Sequence, residues 1–135
     1  MVTSTGPLAT IQRWHAAVNA ADADALAELA TEDITVAGPR GVGHGRPVLL
    51  DWLRRAGLSY RPQRWFFDGR ANAVVEELVT WRDVATGEVL TADALVASRF
   101  VLTGGRISCY ARHDALDEAL AEAGLDRSAR VEAPA

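Results

Sequence analysis

The sequence predicts an α+β fold, with helices gathered in the N-terminal part and a curved, mainly antiparallel sheet built from the rest. Three observations lead there. Apolar residues recur at clear helical spacing mainly before Gly57. After Gly57 the chain turns to apolar and β-branched runs of strand length. Two hairpin signals, Thr86-Gly87 and Gly104-Gly105, divide those runs, the second fitting a tight primed turn.

Each element has its own justification. Ile11, Trp14, Val18 and Ala21 fall on one helical face and predict a first helix over residues 8–20. Asp22 suits the cap of a second helix, whose apolar positions are Ala25, Leu26, Leu29 and Ala30. Residues 33–37 read as a short strand. A third helix follows, with Pro47 in its first turn, Gly57 at its C-terminal cap, and Val48, Leu49, Trp52, Leu53 and Ala56 as its apolar face. Strands are expected near 60–68, 72–83, 89–103 and 106–113, then a short helix near 115–123. The expected organisation is a single domain over 1–125 and a disordered tail over 126–135.

Composition narrows the function. At 135 residues the chain suits one domain. A net charge of −4 argues against a nucleic-acid partner, which needs a basic surface. No stretch approaches a membrane span and the first residues lack a secretory pattern, so a cytoplasmic protein is expected. Cys109 is the only cysteine, which rules out an internal disulfide. His15, His44 and His113 have no metal-ligand spacing, and no metal or other cofactor is expected. All 14 basic residues are arginine, which removes Schiff-base and lysine-dependent phosphate chemistry.

The segment ITVAGPRGVGHG, residues 34–45, holds four glycines in its last eight positions and invites a phosphate-loop reading. It fails both patterns. After Gly41 and Gly43 the third glycine of a dinucleotide fingerprint falls on Arg46, and the Gly38–Gly43 spacing of a Walker loop continues into His44 and Gly45. The antiparallel pattern downstream also opposes a nucleotide site. The plainer expectation is a flexible connection between strand and helix.

Residues 13–39, RWHAAVNAADADALAELATEDITVAGP, resemble the first two helices and first strand of ketosteroid isomerase. HGRPVLLDWL, 44–53, resembles the start of that family's third helix, and DALVASRFVLTGGRISCYARHD, 93–114, resembles its last hairpin. The chain thus resembles the nuclear-transport-factor-2-like superfamily, of ketosteroid-isomerase-like or SnoaL-like type. The resemblance implies a cystatin-like α+β cone, three N-terminal helices on the concave face, a deep apolar pocket and a homodimer. The isomerase's catalytic positions fall on Trp14, Gly38 and Val96, so ketosteroid isomerisation by that mechanism is excluded. VVEELVT, 74–80, resembles the third strand of limonene-epoxide hydrolases, whose catalytic positions fall on Leu78, Thr80 and Arg112.

These alignments imply which side chains share the pocket. Val74, Glu76, Leu78 and Thr80 are expected there from one strand, Ala94, Val96, Ser98 and Phe100 from the next, and Ser108, Tyr110, Arg112 and Asp114 from the last. Glu76, Arg112 and Asp114 are the acid–base candidates, Tyr110 a proton donor or a packing residue, and His44 a rim acid–base group or a helix cap. Glu76 with Arg112 reads equally as a structural ion pair. Trp14, Arg40, Trp52, Leu78, Thr80, Val96, Ser98 and Phe100 are the candidate ligand contacts. His15 and His113 are expected to be structural or exposed. The other sheet face, with Val75, Val79, Trp81, Leu95 and Val101, is expected to form the homodimer. The function these features favour is cofactor-free isomerisation, cyclisation or dehydration of a small apolar or carboxylate-bearing molecule. The alternative is a non-catalytic ligand-binding or dimerisation module.

Overall fold

The computed structural model describes residues 6–134; residues 1–5 and 135, which belong to the expected domain and tail, lie outside the described residues. Helix α1 (Pro7–Asn19) opens on Pro7, whose missing N–H is harmless in a first turn. Its buried face is wider than the stripe of Ile11, Trp14 and Val18, because Thr10, His15 and Ala17 are buried too. Asp22 then accepts the Ala25 N–H at 3.1 Å and caps α2 (Ala23–Leu29), as its sequence position predicts.

Strand β1 (Ala30–Gly38) does not lead into a loose loop. It folds back as a hairpin with β2 (Gly41–His44), Gly38 opposite Gly41 and Thr35 opposite His44. The expected flexible connection is therefore corrected: the glycines sit in an edge hairpin. Helix α3 (Arg46–Ala56) ends at Gly57, whose left-handed φ of 59° makes the turn into β3 (Leu58–Phe67). Strands β4 (Asn72–Arg82), β5 (Val89–Thr103) and β6 (Arg106–His113) complete the meander. Gly104 and Gly105 both have positive φ, 59° and 81°, as a primed turn requires.

The sheet has the order β2-β1-β6-β5-β4-β3 with a short strand β7 (Arg130–Val131) beyond β3. All neighbours run antiparallel except β1 and β6, which pair in parallel. Helices α1, α2 and α3 cover one face, and the main core between them holds Trp14, Ile34, Leu49, Trp65, Phe100 and Tyr110. This is the expected α+β architecture.

Two expectations about the remainder are corrected. The helices do not cover one face only: α4 (Leu116–Ala123) packs Leu116, Ala119 and Leu120 against Phe66, Val74 and Ala97 on the opposite, outer face. The spacing of those three residues gives α4 a narrow apolar stripe, which this second core buries. Nor are residues 126–131 structureless. Asp126 caps a 3-10 turn at Arg127–Ala129, and β7 pairs Val131 with Trp65 and Arg130 with Phe66. Among the described residues no helix is long and apolar enough to cross a membrane.

Candidate functional site

The register between β4 and β5 decides which side chains enter the helix-covered interior. Side chains directly opposite in an antiparallel pair share a face. Phe100 and Val96 lie in the main core, and Ser98 is fully buried between them in sequence, so β5 points inward as expected. Val75 lies opposite Ser98 and Glu77 opposite Val96, so these β4 residues point inward too. The expected β4 face is thus inverted. Glu76, Leu78 and Thr80 lie on the outer side, and Val75, Glu77, Val79 and Trp81 on the inner side. A shift of one residue flips every side chain of a strand, so this single difference relocates the site.

Glu76 consequently has no contact with Arg112. It takes a bidentate pair from Arg64 on β3, at 2.6 Å and 2.8 Å. The Arg64 hydrogen bond holds the Glu76 carboxyl below the usual carboxylate range, against the opposing effect of burial. Arg112 does face the interior side of β6, where its guanidinium lies 5.2 Å from the centre of the Trp81 ring. Its carboxylate partner is Asp114, 3.3 Å away and largely exposed. Ser108 bonds Thr103 and the Val101 carbonyl at the hairpin end and does not line the interior.

The loop candidates lie apart. Arg40 is exposed at the turn of the β1–β2 hairpin. His44 caps no helix; its Nδ1 lies 3.2 Å from the Thr35 hydroxyl on the neighbouring strand. His113 pairs with Glu118 of α4 at 3.0 Å. Burial pushes the Cys109 thiol up, which makes it a poor nucleophile.

The aromatic candidates do converge. Trp14 contacts Tyr110 and Phe100 with ring centres 5.1 Å and 5.9 Å apart, and half-buried Trp52 of α3 closes on Tyr110 at 5.2 Å. With Tyr60 and Trp65 they fill the volume where a deep pocket was expected, and the five residues Trp14, Tyr60, Trp65, Phe100 and Tyr110 are each at most 4% exposed.

Inside this packing runs a polar chain in which only Tyr110 and Ser98 were anticipated. His15 Nε2 lies 2.6 Å from Glu77 Oε2, and the Ser98 hydroxyl donates to Glu77 Oε1 at 2.6 Å. Glu77 has 0% exposure and His15 3%. The Tyr60 and Tyr110 hydroxyls share a short hydrogen bond. Burial raises both phenols well above their ordinary range; the nearby Glu77 carboxylate adds to this in Tyr110, and Tyr110 and Glu77 add to it in Tyr60. Asn19 fixes the Tyr60 backbone from α1, accepting its N–H at 2.7 Å and donating to its carbonyl at 3.0 Å. An imidazole, a carboxylate and three hydroxyls are thereby held together in an apolar interior, an arrangement able to hold and move a proton.

Sequence reasoning missed His15, Glu77 and Tyr60. His15 adjoins Trp14 and lies off the apolar stripe, yet α1 is buried over both positions. The signal available for Glu77 was the consecutive pair of acids inside an apolar strand, of which the alignment selected the other member. One cleft adjoins the interior. It has a volume of about 380 Å³, lies beyond the C-terminal ends of α1 and α3, and includes Val18, Leu53, Leu58, Arg82 and Val84 in its lining.

The sequence matches the SnoaL-like domain family over residues 11–110. No curated protein matches it. Among solved structures, a protein of nuclear-transport-factor-2-like fold and unknown function from Cytophaga hutchinsonii superposes with a TM-score of 0.69 at 16% identity, covering 84% of this chain and 93% of that one. A protein of ketosteroid-isomerase-like fold from Catenulispora acidiphila, in complex with trimethylamine, gives 0.67 at 18% identity over 91% and 96%. The epoxide hydrolase/cyclase-like enzyme SalBIII, which acts in pyran ring formation in the polyether salinomycin, gives 0.66 at 19% identity over 81% and 90%. At these identities the likeness establishes the fold.

Proposed function

The chain belongs to the SnoaL-like domain family, and from that premise we propose that it is a cofactor-free enzyme performing acid–base chemistry on a small, largely apolar molecule. The reaction class is isomerisation, cyclisation or dehydration. One observation carries the reading: the buried chain of His15, Glu77 and Ser98 beside the Tyr60–Tyr110 pair, in an interior otherwise apolar. A core built only for packing gains little from such groups, because buried polar and ionic pairs rarely outperform apolar side chains of the same volume. In a water-poor site the same groups act strongly on a developing charge. The cyclase-like chemistry of SalBIII on this fold is consistent with the proposal.

The cleft beyond α1 and α3 has a volume suited to a small molecule, and Val18, Leu53 and Leu58 of its lining belong to the main core. Arg112, stacked on Trp81, is the side chain suited to a carboxylate on the ligand. The reading includes a homodimer through the outer sheet face and a cytoplasmic location. A second reading, a non-catalytic ligand-binding or dimerisation module, is favoured by the close packing of Trp14, Phe100 and Tyr110.

Deuterium uptake distinguishes the two. The protein is incubated in deuterium oxide with a panel of small cyclic ketones and β,γ-unsaturated ketones, and mass spectrometry reads label at carbon. The enzyme reading expects uptake by the wild type that falls about 100-fold or more in Tyr110→Phe. Thermal stabilisation by panel members without uptake supports the binding module instead. Neither uptake nor stabilisation across the panel overturns the enzymatic reading for this substrate class.

A further inference from the structure

The cleft beyond α1 and α3 joins an apolar wall to two arginines. Val18, Leu53 and Leu58 form the buried part of its lining, while Val84 is a large apolar side chain left 62% exposed beside them. Arg54 and Arg82 line the same cleft, and neither guanidinium has a hydrogen-bond or ion-pair partner among the described residues. Backbone geometry sets their placement. The Arg82 N–H donates to the Gly57 carbonyl at 2.7 Å, which ties the end of β4 to the end of α3 and brings positions 54 and 82 to one opening.

We propose that this cleft binds a small amphiphilic carboxylate, its apolar body against Val18, Leu53 and Leu58 and its carboxylate held by Arg54 and Arg82. The hydrogen-bond inventory sets the sign of the ligand. Acceptors around the cleft are already used within the chain. Asp83 takes the N–H groups of Ala85 and Thr86, Asn19 Oδ1 takes that of Tyr60, and the Gly57 carbonyl takes that of Arg82. At the end of α1, the carbonyls of Ala16, Ala17 and Val18 accept from Ala20, Asp22 and Ala21. What remains are the two guanidinia, which only donate, and the Ser59 hydroxyl. A ligand completing this set supplies acceptors, and a planar carboxylate matches the guanidinium fork. Asp83 and the negative ends of α1 and α3 oppose an anion. The helix-end effect is screened and fades within a turn, whereas charge-assisted hydrogen bonds act in direct contact.

Volume bounds the ligand. The cleft has about 380 Å³, and at about 30 Å³ for each water-sized group it takes roughly a dozen non-hydrogen atoms. The class is therefore a carboxylic acid with one short chain or one ring, of about eight to ten carbons. The inference rests on the reading of the cleft as a small-molecule site, and not on the acid–base reading of the interior. It needs no path to His15 or Glu77 and no chemistry there. Arg112 is the rival anchor, but its guanidinium already has the Trp81 ring and Asp114 as partners.

Isothermal titration calorimetry near neutral pH tests the assignment, with octanoate, octylamine, 1-octanol and acetate as probes. Octanoate is expected to bind about tenfold or more tightly than octylamine or 1-octanol. Acetate, which lacks the apolar body, is expected to show no measurable binding. Arg54→Gln and Arg82→Gln should each weaken octanoate about tenfold and leave the weaker binding of 1-octanol unchanged. Ala56→Leu fills the cleft without altering charge and should weaken both, while Arg112→Ala should change neither. Circular dichroism checks each fold, and the variants of exposed Arg54 and Arg82 decide the question if Ala56→Leu does not fold. Tighter binding of octylamine, equal binding of 1-octanol, or no binding of octanoate at millimolar concentration overturns the proposal. So does loss of octanoate binding in Arg112→Ala with the Arg54 and Arg82 variants unaffected. Failure here is distinct from failure of the enzymatic reading: octanoate binding without deuterium uptake from the ketone panel keeps this site and counts against the enzyme alone.

Discussion

At the scale of the residue, two adjacent acids have opposite fates. Glu76 lies on the outer face in a bidentate clasp with Arg64, and Glu77 lies on the inner face with His15 and Ser98. The strand around them, VVEELVT, carries apolar residues at both parities, because α4 covers part of its outer face and the main core its inner face. Alternation cannot assign faces in such a strand. Removing Glu77 strands a buried imidazole, so Glu77→Ala is expected to cost about 3–5 kcal/mol of unfolding free energy. Glu76→Gln keeps the shape, leaves a half-exposed Arg64 near water, and is expected to preserve any proton-transfer activity. Urea denaturation and the uptake assay on both variants check this, and equal effects would mean that the two acids are not divided as described. Asp68 gives a cleaner pH test. Burial alone would raise its carboxyl, but the Asn72 amide and the N–H groups of Arg70, Asn72 and Ala71 outweigh it and hold it at about 2. Its folded value lies below its ordinary 3.8, so the stabilisation is complete above 3.8 and disappears as pH falls through about 2. Asp68→Ala should therefore lower the urea midpoint at pH 7, with the gap to wild type closing towards the acid end.

At the scale of the element, the strongest local signals were legible. The Asp22 cap, the Gly57 stop and the Gly104-Gly105 turn are each fixed by the chemistry of one or two residues, and all three occur where the sequence places them. The β1–β2 hairpin was not legible, because β2 has only four residues, two of them glycine, and buries no alternating face; pairing with β1 supplies the order. The docking of α4 on the outer face was equally hidden. A stripe of Leu116, Ala119 and Leu120 states that a partner exists and not which face provides it. Gly57 shows how tightly one such junction is drawn. A Cβ there would lie 2.0 Å from the Arg82 carbonyl oxygen, at a φ of 59°. The left-handed backbone alone costs a β-carbon residue about 1–3 kcal/mol, and the backbone contact cannot relax without separating α3 from the end of β4. Gly57→Ala is expected to lose more than that range in chemical denaturation. A loss under about 0.5 kcal/mol, the scale of ordinary surface substitutions, would contradict the packing described.

At the scale of the whole molecule, the polar chain and the outer sheet face are linked by a single strand order. Placing β6 and β5 at the centre brings Tyr110 and Ser98 to the inner face and, by alternation, leaves Cys109, Arg99 and Val101 on the outer one. Part of that outer face is closed by α4, but Leu95 remains 55% exposed. Beside Cys109, Arg99 has a buried Nε with no hydrogen-bond partner among the described residues. A half-buried guanidinium and an apolar strip are poorly served by water alone. The proposed homodimer covers both, with the second copy's sheet crossing β5 and β6 beyond the reach of α4. Sedimentation equilibrium should then give twice the chain mass of 14.5 kDa at micromolar concentration. Val101→Glu, a charge placed on the strip and away from His15 and Tyr110, should return the chain to monomer while it stays folded. Its effect on uptake then separates two designs: unchanged turnover means that each cone is a complete site, and lost turnover means that pairing holds the central strands in the register the buried proton chain requires. A wild type that is monomeric at tens of micromolar would remove the dimer from the proposal and leave Arg99 facing solvent.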